Sequence, residues 1–241
     1  MKSIDYLAIV LFSLFVPIVC VEAQSTDHVL SPTEDATMSS LESVKLSVYA
    51  MAYAEGHKKI YLTNSKGETK QVSLSTANIL GPYQTALDAD SNLILRTQKK
   101  TNEGATIYPP IAQVKFPDDI KEPLMILVPS ADGQAYEAVF IDRSLESFPK
   151  GCYMMTNLSS KEIHGHVGDT KVDVMPDNIT LITPTVGKED LLDVHFEYQS
   201  TNQWRTFART RWVYKKNKRS LLLAFLDPKT KRMRIRGVPL R

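Results

Sequence analysis

The chain has 241 residues with 29 basic and 27 acidic side chains, a formal net charge of +2, 43% hydrophobic residues and two cysteines. A composition this balanced excludes a disordered polyelectrolyte, a collagen-like fibre and a disulfide-stapled miniprotein. It leaves ordinary globular structure, so any function must be sought in how the residues are arranged.

The N-terminus comes first in chain order. Lys2 precedes an apolar run of fifteen residues over 6–20, and Val21-Glu22-Ala23 then supplies the small-residue pattern of a cleavage site before Gln24. The run is shorter than the about 20 residues a membrane-spanning helix needs, so it predicts a cleaved secretory signal over 1–23. Acylation at Cys20 is the alternative, but Pro17-Ile18-Val19 lacks the small residue expected before a lipidated cysteine. After cleavage Cys152 is the only cysteine, which rules out an internal disulfide in a compartment where disulfides persist. The expected location is therefore the bacterial periplasm or the extracellular space, with no transmembrane segment in the mature chain. The sequons Asn157-Leu158-Ser159 and Asn178-Ile179-Thr180 count only weakly against a bacterial source.

Residues 24–41 are polar, rich in small side chains and aperiodic, and read as a flexible leader. Beyond them the chain predicts an all-β fold, because short β-type runs alternate with turn signals and no helical period is sustained. Strands are expected over 44–53, 59–63, 71–75, 92–97, 124–128 and 136–141. A second series is expected over 153–156, 171–175, 180–183, 193–198, 205–214, 221–226 and 232–238. Asn64-Ser65-Lys66-Gly67 and Ser130-Ala131-Asp132-Gly133 carry the Asn, Asp and Gly that tight turns require.

The two series resemble each other. Ile60-Tyr61-Leu62-Thr63-Asn64 aligns with Tyr153-Met154-Met155-Thr156-Asn157, and Gly67-Glu68-Thr69-Lys70 with Gly168-Asp169-Thr170-Lys171. Leu124-Met125-Ile126-Leu127-Val128-Pro129 and the following 135–141 align with 222–228 and the following 233–238. This predicts two tandem β-sandwich-like domains of about 100 residues each, at 42–145 and 146–241. One larger sandwich or barrel is the alternative.

Charge is strongly polarised along the chain. Residues 24–204 hold 15 Lys and Arg against 24 Asp and Glu, whereas 205–241 hold 13 against a single acid, Asp227. Strand alternation places Arg205, Arg209 and Arg211 on one side of their strand, opposite Thr206, Ala208, Thr210, Trp212 and Tyr214. It places Arg232, Arg234 and Arg236 on one side of the last strand. Guanidinium groups in such rows bind carboxylates, phosphates and sulfates in two-point contacts. Arg209, Arg211, Arg232, Arg234 and Arg236 are therefore the candidate partner-binding residues, with an anionic polysaccharide or an acidic envelope protein as the expected partner. A solvated outer face that protects a sheet edge is the alternative. No nucleic-acid module is present.

Few residues point to chemistry. His164-Gly165-His166 would project two imidazoles to one face of a strand, the weak candidate for copper or zinc, with Cys152, Met154, Met155 and Met175 near in sequence. No nucleophile elbow, zincin motif, phosphate loop or dinucleotide fingerprint occurs. A glycosidase carboxylate pair leaves no local mark and stays open. Cys152 reads as a small buried apolar residue, and the aromatic stripe of Trp204, Trp212 and Tyr214 as core packing. The sequence as a whole predicts an exported, non-catalytic binding or assembly protein with no cofactor. A secreted carbohydrate-active hydrolase and a small copper- or zinc-binding protein are the alternatives.

Overall fold

The computed structural model describes residues 42–187 and 190–240; the expected signal segment and leader lie outside them. Eighteen strands follow in order: β1 Ser43–Ala50, β2 Lys59–Thr63, β3 Thr69–Ser73, β4 Leu80–Ala86, β5 Asn92–Arg96, β6 Lys99–Lys100, β7 Thr106–Ile107, β8 Pro110–Lys115, β9 Pro123–Pro129, β10 Tyr136–Asp142, β11 Tyr153–Asn157, β12 Ile163–Val167, β13 Thr170–Val174, β14 Ile179–Ile182, β15 Leu191–Ser200, β16 Gln203–Val213, β17 Arg219–Leu226 and β18 Met233–Leu240. The fold is all-β. Among the described residues no helix is long and apolar enough to cross a membrane.

The strands form four four-stranded sheets, ordered β3-β2-β5-β8, β10-β9-β1-β4, β14-β11-β17-β18 and β13-β12-β15-β16, with β6 and β7 as a separate hairpin. The sheets stack in that sequence, and the stacking follows from residue alternation on the inner strands. In β1, Leu46, Val48 and Ala50 face the first apolar layer while Tyr49 faces the second. In β9, Met125 and Leu127 face the first layer and Leu124 and Ile126 the second. In β17, Leu221 and Leu223 face the second layer and Leu222 and Ala224 the third. Strands covered on both sides must be apolar at every position, which explains the unbroken runs 124–128 and 221–226. These same strands form the two parallel pairings, β1 with β9 and β11 with β17.

The halves repeat one topology. The inner sheets match as β10-β9-β1-β4 and β18-β17-β11-β14, and the outer ones as β3-β2-β5-β8 and β13-β12-β15-β16. The β2–β3 and β12–β13 turns both carry a glycine at positive φ, 79° at Gly67 and 58° at Gly168. Segments 124–129 and 222–228 fall on the equivalent strands β9 and β17. One sequence match is corrected: 60–64 lies in β2, whereas 153–157 is β11, the counterpart of β1. The short β6 and β7 were not expected, nor were β4, β8 and β12. Gly81-Pro82, Pro109-Pro110 and His164-Gly165-His166 interrupt their patterns, and β4 tolerates its proline because it is an edge strand.

The two inner sheets meet across the second layer, built from Tyr49, Leu124, Ile126 and Ile141 on one side and Met154, Leu221, Leu223, Val238 and Leu240 on the other. Two arginines brace this seam. Arg236 Nη1 donates to the Met51 carbonyl at 2.7 Å and lies 3.4 Å from Tyr49 Oη, with its guanidinium over the Phe225 ring. Arg219 Nη1 donates to the carbonyls of Arg143 and Phe148, holding the segment between β10 and β11. Because Leu223 is fully buried in this layer, Leu223→Ala is expected to cost about 2–5 kcal/mol. Calorimetry should show one transition that moves as a whole; a second, unshifted transition would mean that the halves melt independently.

The connecting segment is pinned by Asp142. Burial raises its pKa, but hydrogen bonds from Ser144 N, Ser147 Oγ, Glu122 N and Ser144 Oγ outweigh that and lower it from 3.8 to about 2. A carboxyl depressed in the folded state contributes fully above its unfolded pKa and loses that contribution as pH falls through its folded value. The melting midpoint should therefore fall between about pH 4 and pH 2, and fall less steeply in Asp142→Asn. Parallel pH profiles would exclude this carboxylate as a source of acid sensitivity.

Candidate functional site: the basic flank and histidine face

Strand β16 pairs antiparallel with β15, and the register breaks between Phe196 and Glu197, so Phe207 is the extra residue of a bulge. Side-chain parity therefore reverses at Phe207. Beyond it Arg209 and Arg211 point away from the stack, while Phe207, Ala208, Trp212 and Tyr214 pack on the third apolar layer. Before it Trp204 and Thr206 point outward. This corrects two sequence readings: Arg205 does not share a face with Arg209 and Arg211, and Trp204 does not belong to the inward stripe of Trp212 and Tyr214. Trp204 is 41% exposed, and its ring packs against His164 with centroids 4.1 Å apart and the planes tilted by 38°.

The same register defines the outer face of the last sheet. His166 lies opposite Lys171 on β13 and opposite His195 on β15, and His195 lies opposite Arg209 on β16. Lys171, His166, His195 and Arg209 thus form one row across all four strands. The next row runs Asp173, His164, Glu197 and Thr206. His164 Nε2 lies 2.8 Å from Glu162, and the Thr206 hydroxyl donates to Glu197 at 3.0 Å while lying 3.1 Å from His195 Nε2. Arg211 Nε pairs with Asp193 at 2.8 Å. Lys171 and His195 were missed in sequence because only register reveals them.

His164 and His166 share a face, as expected, but their rings diverge: His164 turns to Glu162 and Trp204, whereas His166 Nδ1 lies 3.0 Å from the Gly168 carbonyl. Cys152 is buried in the second layer and its sulfur is 3.4 Å from Thr183 Oγ1, separated from this face by two sheets and the third apolar layer. Met154 faces the second layer, Met155 the third, and Met175 is exposed. Among the described residues no group of three or more His, Cys, Asp or Glu is placed to hold a metal ion.

Gly165 is a packing requirement. A Cβ there would lie 2.1 Å from the His195 carbonyl oxygen and 2.6 Å from Phe196 Cδ1. Gly165→Ala is expected to destabilise the protein by about 1–3 kcal/mol or more, as overpacking against backbone does. An unchanged melting midpoint would contradict the β12–β15 register.

The β18 arginines divide by role. Arg232 is exposed in the β17–β18 turn, and Arg234 Nε pairs with Asp227 Oδ2 at 2.9 Å. The Asp227 carboxyl is held below its ordinary pKa, first by the backbone N–H groups of Thr230 and Lys229 and further by Arg234. Arg236 belongs to the seam. Arg234 and Arg236 follow the parity of Val238 and so point away from β16, while Arg209 and Arg211 point outward from the last sheet. The five candidates do not share one sheet face. They share a flank: β16 and β18 are edge strands of adjacent layers and contact each other. Of the 13 basic residues of 205–241, the twelve that fall among the described residues lie on these strands, β17 and their turns.

Both sequons are placed differently. Asn157 is fully buried and donates to the carbonyls of Lys161 and Val174, whereas Asn178 is exposed. The chain matches no protein-family model, and no curated protein is similar enough to it to indicate a family.

Proposed function

We propose that the protein is an exported, non-catalytic binding or assembly protein that contacts an anionic polysaccharide along the β16–β18 flank. The observation that carries this reading is the row of basic side chains from Arg209 through His195 and His166 to Lys171 across the last sheet, together with the contact between β16 and β18, the strand that the exposed Arg232 precedes. Arg209, Arg232 and Lys171 have no ion-pair partner among the described residues. Among the described residues Arg211 and Arg234 each face one carboxylate, and the exposed Arg211–Asp193 pair can give way to a ligand anion at small cost, since exposed pairs are worth about 0–1 kcal/mol. Trp204 offers a flat apolar ring beside this row, which suits a pyranose better than a lipid headgroup.

The probe is dextran sulfate, with neutral dextran as control, titrated at low and high salt. Binding that weakens with salt is expected, as counterion release requires. Arg209→Gln combined with Arg232→Gln and Lys171→Gln should weaken it about ten-fold or more while leaving the melting midpoint unchanged. Arg236→Gln, by contrast, should cost about 1–3 kcal/mol of stability, because it leaves the Met51 carbonyl unpaired. Equal binding by the triple variant removes the flank from the argument. Retention of an acidic envelope protein without dextran sulfate binding would identify a protein partner instead. Turnover on a glycan panel would replace the binding reading with a hydrolase.

A further inference from the structure

The seam between the halves holds an arginine that neither the flank nor the bracing uses. Arg143 follows β10, and its backbone is fixed at both ends: its N–H donates to the Glu122 carbonyl at 2.9 Å and its carbonyl accepts from Arg219. The side chain is half-buried. Its Nε is fully buried and has no hydrogen-bond partner, and no carboxylate or carbonyl pairs with the guanidinium among the described residues. An unpaired buried donor on a charged group is costly, and such groups are normally satisfied.

Arg143 lines a cleft of about 460 Å³, a volume within the range of small-molecule sites, and is the one charged residue among those lining it. Ile79, Val238 and Pro239 give the cleft an apolar wall, and Ser47 and Asn78 add polar groups. Burial lowers the Arg143 pKa; Glu122 acts through space against that, and the like charge of Arg219 adds to it. A guanidinium held beside an apolar wall attracts an anionic group that also carries apolar surface.

We propose that this cleft binds a carboxylate bearing a short apolar group, with the Arg143 guanidinium receiving the carboxylate and Ile79, Val238 and Pro239 receiving the apolar part. A bare inorganic anion would leave the wall unused, and a neutral analogue would leave Arg143 unpaired. The site is independent of the flank, since it lies where β1, β4 and β18 converge and shares none of the flank's unpaired cations.

The test uses the purified protein with 3-phenylpropionate, its neutral amide, and inorganic phosphate, read by thermal shift and calorimetric titration. The acid should raise the melting midpoint in proportion to the logarithm of its concentration once saturating. The amide and phosphate should bind about ten-fold or more weakly, the loss expected for one charge-assisted contact. Arg143→Gln should bind the acid as weakly as the wild type binds the amide. Asn78→Asp, which brings a carboxylate to the cleft while leaving Arg143 in place, should also lose binding of the acid and keeps the test sound if Arg143→Gln folds poorly. Equal binding of acid and amide, retention in both variants, preference for phosphate, or no shift with the acid would each overturn the proposal.

Discussion

The second apolar layer, where the two inner sheets meet, is the constraint on which the rest of the structure depends. It obliges β1, β9, β11 and β17 to be covered on both faces, and this in turn requires apolar residues at consecutive positions. It also sets the position of β18 over β1, from which Arg236 reaches the Met51 carbonyl. The charge of the C-terminal segment is thereby divided between two tasks. Arg219 and Arg236 hold the halves together, and the cations of β16 and the β17–β18 turn remain at the surface.

A repeated topology joined back to back gives each half a different neighbour on its two sides. The inner sheets face one another and can be wholly apolar, while the outer sheets face water and alternate. This is why β12 and β15 carry His164, His166, His195 and Glu197 outward and Ile163, Val167, Val194 and Phe196 inward. The histidine face is thus an ordinary consequence of alternation in an outer sheet. What is particular to this chain is the register that aligns two of those histidines with Lys171 and Arg209.

Much of the fold was legible in the sequence where side-chain pattern alone decides it. The runs at 124–128 and 221–226, the Asn64–Gly67 turn and the alternation in 193–198 needed no knowledge of their partners. Strands β4, β8 and β12 were hidden because Gly81-Pro82, Pro109-Pro110 and Gly165 interrupt the strand pattern, and they are strands because neighbouring strands bind them. The bulge at Phe207 was equally hidden: an inserted residue is defined against a partner strand, and the sequence of β16 alone continues its alternation past it. The candidate site was legible as a charge excess but not as a surface, since whether Arg209 and Arg234 face the same way depends on a sheet-to-sheet relation. Arg143 carried no signal, being one cation in a connecting segment.

Stacks of repeated layers must also stop. Here the inward residues of each outer sheet belong to the core, while Lys59, Gln71 and Ser73 on the first sheet and His164, Asp173 and Glu197 on the last present polar ends. These end faces do for a pile of sheets what polar capping units do for a solenoid. Each keeps a further sheet, from this chain or another copy, from completing the sequence of layers. A substitution that made either end face apolar would therefore change the number of molecules in a particle before it changed the fold of any one of them.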